Sequence, residues 1–261
     1  MGGKLSDIDC FILDMDGTIY LGERWIDGAL DFLQAVEAAG RQYVFLTNNS
    51  SRNAAVYVAK LARMGLSIAR DRIITSGQAT IDYLERHYRD QKVFLLGNEL
   101  LQTEFTEAGI QLTDKDPEVV VVGFDTSLDY GKLCKVCDLV RSGLPYLSTH
   151  PDFNCPTETG FIPDAGAIHA FIHASADRYP DHIIGKPNRA IMDYLLERTK
   201  AVRSRTAMVG DRLYTDVAAG VNSGMTGILV LSGEAGWDDV ERSEIKPHFI
   251  FDSVKEMIGE L

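Results

Sequence analysis

Two aspartates, Asp14 and Asp16, follow the apolar run 10–13 and stand directly before a glycine. A short apolar run reads as a buried strand, and glycine lets the chain turn sharply at its end. Ligands of open α/β sheets bind outside the carboxyl ends of the strands. An acid able to attack and a second acid two residues on therefore stand where chemistry is done. For this pair by itself an acidic turn is the competing reading, because Asp-Gly is a common turn pair. Three further segments place polar residues after apolar runs: Thr47 and Asn48, Lys186, then Asp211 and Asp216. Three carboxylates converging at a sheet edge invite a hard cation, and Mg²⁺ takes one or two carboxylates with waters and phosphate oxygens. A lysine and a hydroxyl close by suit the oxygens of a transferred phosphoryl group. An aspartate aimed at phosphorus can form an aspartyl-phosphate, which splits one hard displacement into two easier ones.

The elements that must hold these groups alternate. Strands are expected over 10–13, 42–46, 73–77 (a short strand running into a loop), 92–96, 118–124, 146–149, 182–184, 206–209, 227–231 and 248–251. Helices are expected over 27–39, 78–88, 99–108, 130–140, 165–178, 188–199, 215–223 and 253–258, with another after 47–51. Such alternation argues for parallel strands with crossover helices. Gly40 and Gly224 suit helix C-termini, and Pro187 suits the first turn of the helix after it. The polar stretch 47–51 reads as a cap for the next helix or as an anion site. The segment 150–164, rich in Pro, Asp, Thr and Gly, reads as a long loop, functional or disordered.

In chain order, Leu13-Asp14-Met15-Asp16-Gly17-Thr18, Leu46-Thr47-Asn48-Asn49-Ser50, Gly185-Lys186-Pro187 and Gly210-Asp211 through Asp216 resemble the four motifs of the haloacid dehalogenase superfamily. Ile74-Thr75-Ser76-Gly77-Gln78 and 155–163 resemble its class IIA, the NagD-like and 4-nitrophenylphosphatase branch. The similarity covers essentially the whole chain. It implies an α/β fold: a Rossmann-like core, 1–77 and 182–261, interrupted by an inserted α/β cap, 78–181. It also implies a Mg²⁺-dependent phosphatase of small phosphate monoesters (sugar phosphates, nucleotide monophosphates or aryl phosphates). Asp14 would be the nucleophile and a metal ligand. Asp16 would serve as acid and then base and ligate the metal through its carbonyl. Thr47 and the Asn48 N–H would hold phosphoryl oxygens, Lys186 would neutralise the phosphoryl group and Asp14, Asp211 would ligate the metal, and Asp216 would orient metal waters or Lys186. An acid at position 16 favours phosphatase over dehalogenase, because a halide needs no proton to leave. A phosphotransferase and a phosphorylated-ligand binding protein are the alternatives. In this branch the cap supplies specificity, so His150, Asp152 and Phe153 are candidate specificity residues, with turn formation or cap packing as the competing explanation.

With 26 basic and 38 acidic residues the net charge is -12, which argues against nucleic acid or an anionic membrane as partner. A small phosphorylated metabolite stays compatible, since a bound cation and one lysine reverse the local field. No apolar run is long enough to span a bilayer, the segment 1–9 lacks a signal-peptide core, and the four cysteines show no disulfide spacing, so the cytoplasm is the expectation. Cys134 and Cys137, three apart, have no second pair to complete a metal site. His169 and His173, four apart on one expected helix, read as packing or surface residues. Caps of this type sometimes pair subunits, so a homodimer is a further expectation of the resemblance.

Overall fold

Every residue of the strand Cys10–Leu13 is buried, as a run with no polar position requires. It lies inside a six-stranded sheet ordered Phe249–Phe251, Thr226–Val230, Thr206–Gly210, Cys10–Leu13, Gln42–Thr47, Ile73–Thr75. The computed structural model describes residues 4–157 and 160–261. Its chain folds as two units: one takes the chain up to Thr47, Val58–Ile74 and Lys186–Leu261, the other Asn48–Tyr57 and Thr75–Gly185.

In the first unit, Cys10–Leu13 pairs in parallel with Gln42–Thr47 on one side and Thr206–Gly210 on the other. The chain leaves the first strand toward one edge and returns much later beside it to build toward the other. That reversal is a topological switch point, where open sheets bind ligands at the strand carboxyl ends. The register sets Leu13 level with Val209 and Phe45, and Asp14 N donates to Val209 O at 2.9 Å. Asp14, Thr47 and Asp211 therefore leave three adjacent strands at nearly one level.

The second unit has its own parallel sheet, ordered His182–Ile183, Tyr146–Ser148, Val119–Val122, Val93–Leu96. Both faces are covered, so Val119–Val122 and Val93–Leu96 carry apolar residues at every position. Val119, Val121, Val93 and Leu95 pack with Ile81, Leu84, Leu101 and Phe105 on one face. Val120, Val122, Phe94 and Leu96 pack with Val136, Val140, Ile168 and Ile172 on the other. The expected parallel α/β architecture is present, and strand and helix ends differ from expectation mostly by one to three residues.

The larger departures have local causes. The segment 150–164 is not all loop: Asn154–Thr157 and Gly160–Pro163 form an exposed antiparallel hairpin. Glu158 and Thr159, within one of the family-like stretches, lie outside the described residues. The expected helix over 215–223 is a π turn, Leu213–Val217, followed by the short helix Ala218–Asn222. Val217 N donates to Arg212 O, five residues back, at 3.1 Å, which closes the wider turn, and Arg212 N donates to Asp216 Oδ2 at 3.1 Å. The stretch 47–51 does not cap the helix Ala54–Arg63; Asn53 does, its Oδ1 accepting from Val56 N at 3.2 Å. Pro187 precedes the N-cap, Asn188, instead of lying in the first turn. A small hairpin, Tyr20–Leu21 with Arg24–Trp25, and the helix Trp237–Arg242 carried too little periodicity to be read from sequence.

Residues 48–57 pack with the second unit, whereas the sequence reading kept them in the core. Side-chain hydrogen bonds hold them there. Ser50 Oγ lies 3.0 Å from Thr149 Oγ1 and accepts from Phe124 N at 2.9 Å. Asn98 Nδ2 donates to Ser51 O at 2.9 Å, and Ser76 Oγ donates to Asn48 O.

Candidate active site

Lys186 Nζ is the centre of the first unit's polar cluster. It donates to Asp14 Oδ1 at 2.5 Å, Asp216 Oδ1 at 2.6 Å and Leu46 O at 3.3 Å. An ammonium has three donors, so all three are used. Lys186, Asp211 and Asp216 are buried, while Asp14 keeps part of its surface. Burial works against the lysine's charge, but Asp14 and Asp216 outweigh it and hold its pKa above the ordinary value. Burial pushes the Asp14 carboxyl well above the ordinary range; Lys186 pulls it back, and Asp216 and Asp211 push it up again. Burial, then the Asp216 charge, raise Asp211 to about 6.

One carboxylate oxygen from each of Asp14, Asp211 and Asp216 lies within 4.8 Å of the others. Three carboxylates against one ammonium leave the buried cluster with an excess of negative charge, which is costly without a further cation. Asp216 spends both oxygens, on Lys186 Nζ and Arg212 N. Asp211 Oδ2 accepts from Glu234 N at 2.8 Å, while Asp211 Oδ1 is buried with no hydrogen-bond partner. An orphaned carboxylate oxygen beside Asp14 fits a hard divalent cation such as Mg²⁺, which selects oxygen ligands.

Glycines make the crowding possible. A Cβ on Gly17 or Gly233 would run into the Asp211 carboxylate, and one on Gly210 into Asp216. Gly17 also has φ +87, a region that L side chains rarely adopt. Asp16-Gly17 and Gly210-Asp211 hinted at this in sequence, as glycines adjoining acids. Nothing in the sequence pointed to Gly233, Glu234 or Arg212.

The structure brings together Asp14, Lys186, Asp211 and Asp216. Asp16 is exposed and its backbone bridges to Tyr20. Thr47 is buried at the end of its strand. Asn48 opens the second unit's first segment and donates from Nδ2 to Asp152 Oδ1 at 3.1 Å. His150 is engaged by its own neighbours, as the packing alternative expects. It is fully buried, with Thr149 Oγ1 and Asp164 Oδ1 each 2.8 Å from a ring nitrogen. Asp164 Oδ1 also caps the helix Ala165–Ala176 through Ala165 N. His150 therefore ties its loop to a helix start and offers no free ring face to a ligand. Asp152 is half-buried, whereas Phe153 is 61% exposed and keeps a surface for contact.

His169 and His173 do not form a metal pair. Tyr146 Oη and Ser148 Oγ each lie 2.5 Å from a nitrogen of His169, and His173 stacks on Tyr179 at 3.9 Å. Cys134 is exposed and Cys137 buried on the helix Tyr130–Arg141, both free. No helix among the described residues is long and apolar enough to cross a membrane.

Residues 11–111 match the family model described as haloacid dehalogenase-like hydrolase, and residues 183–257 match a second, HAD-hydrolase-like model. The chain is similar to the acid sugar phosphatase of Staphylococcus aureus (strain MRSA252), with 36% identity over 98% of this chain and 99% of that protein. Among solved structures it is similar to 4-nitrophenylphosphatase from Thermotoga maritima, with TM-score 0.95, 45% identity and 98% of each chain covered. NagD from E. coli K-12 follows the same fold, with TM-score 0.88 and 32% identity over 95% of this chain and 98% of that one.

Proposed function

The chain belongs to the haloacid dehalogenase-like hydrolases as a phosphatase of their NagD-like branch, and we propose that it hydrolyses small phosphate monoesters, with Mg²⁺, through an aspartyl-phosphate on Asp14. The observation that carries this reading is the Lys186 ammonium shared between Asp14 and Asp216, beside an Asp211 oxygen with no partner. Asp14 and Asp211, with the Asp16 carbonyl, would hold the cation. Bound there, it would offset the repulsion between an anionic nucleophile and an anionic phosphate.

The chain's own groups divide the work. Lys186 holds the Asp14 carboxylate through Oδ1; one Asp14 oxygen attacks and the other would ligate the cation. In the first step Asp14 bonds to phosphorus as the ester oxygen departs with a proton from Asp16. Asp16 then takes a proton from water, which attacks phosphorus and frees Asp14 and inorganic phosphate. The exposure of Asp16 supports this task, since a group that exchanges protons with leaving group and water needs access to both. Thr47 and the Asn48 N–H hold phosphoryl oxygens, and Lys186 neutralises them. The second unit corresponds to the family's cap domain, and Asp152 and the exposed Phe153 are candidate specificity residues. The name of the staphylococcal relatives puts sugar phosphates first among the substrates to try.

The test is phosphate release from 4-nitrophenyl phosphate and a panel of sugar phosphates and nucleotide monophosphates, with Mg²⁺ and with EDTA, in wild type and Asp14→Asn. Wild type is expected to need Mg²⁺ and the variant to lose turnover. Equal, EDTA-insensitive release from both would remove the mechanism.

A further inference from the structure

Asp211 is held by the segment that follows the strand Thr226–Val230. Glu234 N donates to Asp211 Oδ2 at 2.8 Å, and Ala235 N donates to Asp211 O at 3.1 Å. Ser232 Oγ donates to Gly17 O at 2.8 Å, so the same segment also grips the turn after Asp14 and Asp16. Gly233 comes close enough that a side chain there would strike the Asp211 carboxylate.

The Glu234 side chain points its charge away from this contact. Tyr214 Oη donates to Glu234 Oε1 at 2.7 Å, and Arg212 Nε lies 2.8 Å from Glu234 Oε2. Arg212 and Tyr214 come just after Asp211 in sequence, so the clamp closes a ring: Asp211, its own following residues, the Glu234 carboxylate, the Glu234 N–H, and Asp211 again.

We propose that Glu234 is a positioning residue that sets the cation affinity of the site by fixing the Asp211 carboxylate. The inference rests on the reading of Asp211 as a metal ligand. A carboxylate with one oxygen occupied by a main-chain N–H presents the other in a single orientation, and Asp211 Oδ1 is that other oxygen, buried without a partner. If the clamp is opened, the segment and the carboxylate gain rotational freedom that must be lost again when a cation binds. The two contacts on the Glu234 carboxylate also keep a fourth acid from competing as a ligand, and Arg212 offsets its charge. Groups that orient a metal ligand typically change metal affinity by about 10–100-fold when removed.

The experiment is calorimetric titration of the full-length protein with Mg²⁺ alone, without substrate, for wild type, Glu234→Ala and Tyr214→Phe. Turnover at saturating Mg²⁺ and thermal melts are measured beside it. Glu234→Ala is expected to weaken Mg²⁺ about tenfold, and Tyr214→Phe, which removes one hydrogen bond, about threefold. The loss in turnover at saturating Mg²⁺ is expected to be smaller than the loss in affinity. A merely structural role would lower the melting temperature and leave the Mg²⁺ Kd in place. Kd values within twofold of wild type in the variants that fold would overturn the inference, whatever the melts show. Tyr214 is 58% exposed and loses a single hydroxyl, so that variant carries the test even where Glu234→Ala does not fold. A wild type that turns over with Mg²⁺ beside variants of unchanged affinity removes this inference alone. A wild type that binds no Mg²⁺ and needs none removes the proposed function and this inference with it.

Discussion

Replacing Lys186 with Met tests the electrostatic account of the site most directly. Methionine keeps an unbranched side chain of similar length but removes the ammonium that Asp14 and Asp216 share. Both carboxylates then stay in place with no cation between them, and Asp216 is almost wholly buried. Removing one partner of a buried ion pair costs about 3–5 kcal/mol, and two acids losing one shared cation put this case toward the upper part of that range. The cost must depend on pH. In the variant the Asp14 carboxyl, already held above the ordinary range by burial, loses the ammonium that pulls it back down, so the fold is favoured when it is protonated. The deficit is therefore small near pH 4 and grows as pH rises, by up to about 1.4 kcal/mol per pH unit for each coupled proton. Trp25 and Trp237 both belong to the first unit. Tryptophan fluorescence in a urea titration, run in EDTA at pH 5 and pH 8, thus follows the unit that holds the site. The stability difference from wild type is expected to be several kcal/mol at pH 8, clearly smaller at pH 5, and reduced again at pH 8 by added Mg²⁺. A loss under about 1 kcal/mol that is the same at both pH values would refute the reasoning, because it would mean that Lys186 balances no buried charge.

Gly17→Ala forces a side chain into left-handed backbone and into the Asp211 carboxylate. A displacement of about 1 Å at such a centre costs on the order of 100-fold in turnover, and steady-state kinetics beside a thermal melt separate that loss from unfolding. His150→Ala is expected to lower stability by about 2–4 kcal/mol, because Asp164 and Thr149 lose a buried partner. Unchanged melting with an altered substrate range would return His150 to the specificity role. Burial, and next the neighbouring His150, lower the His169 pKa to about 3. A group depressed in the fold contributes stability above its unfolded pKa, about 6.5, and loses it as pH falls toward the folded value. Hydrogen exchange in the helix Ala165–Ala176 is expected to quicken, relative to the intrinsic rate, as pH falls from 6.5, and to do so less in His169→Gln; identical profiles would rule His169 out as the titrating group.

His169 shows how a polar network can stay hidden in sequence. Ser148 Oγ donates to His150 O at 2.8 Å, so His169 Nε2 donates to Ser148 Oγ and Nδ1 accepts from Tyr146 Oη. That arrangement needs a neutral ring. The spacing of His169 and His173 shows only that they can share a helix face. It does not show that one is sealed among hydroxyls and the other stacked on Tyr179. The same limit explains His150. A histidine before a Pro-rich stretch looks accessible until Thr149 and the helix cap at Asp164 engage its ring.

What the sequence determined by itself is whatever is encoded over a few neighbouring residues. All-apolar runs such as Val119–Val122 specify strands buried on both faces, and their alternation with helices specifies a parallel sheet. Acids, hydroxyls and a lysine placed just past such runs specify where chemistry is located, because strand ends converge at a switch point. Tertiary structure decided the pairings. Lys186 lies 172 positions from Asp14, Glu234 lies 23 from Asp211, and Ser50 lies 99 from Thr149. Which donor meets which acceptor over such separations depends on packing and register summed over the whole unit, and no local pattern carries that information.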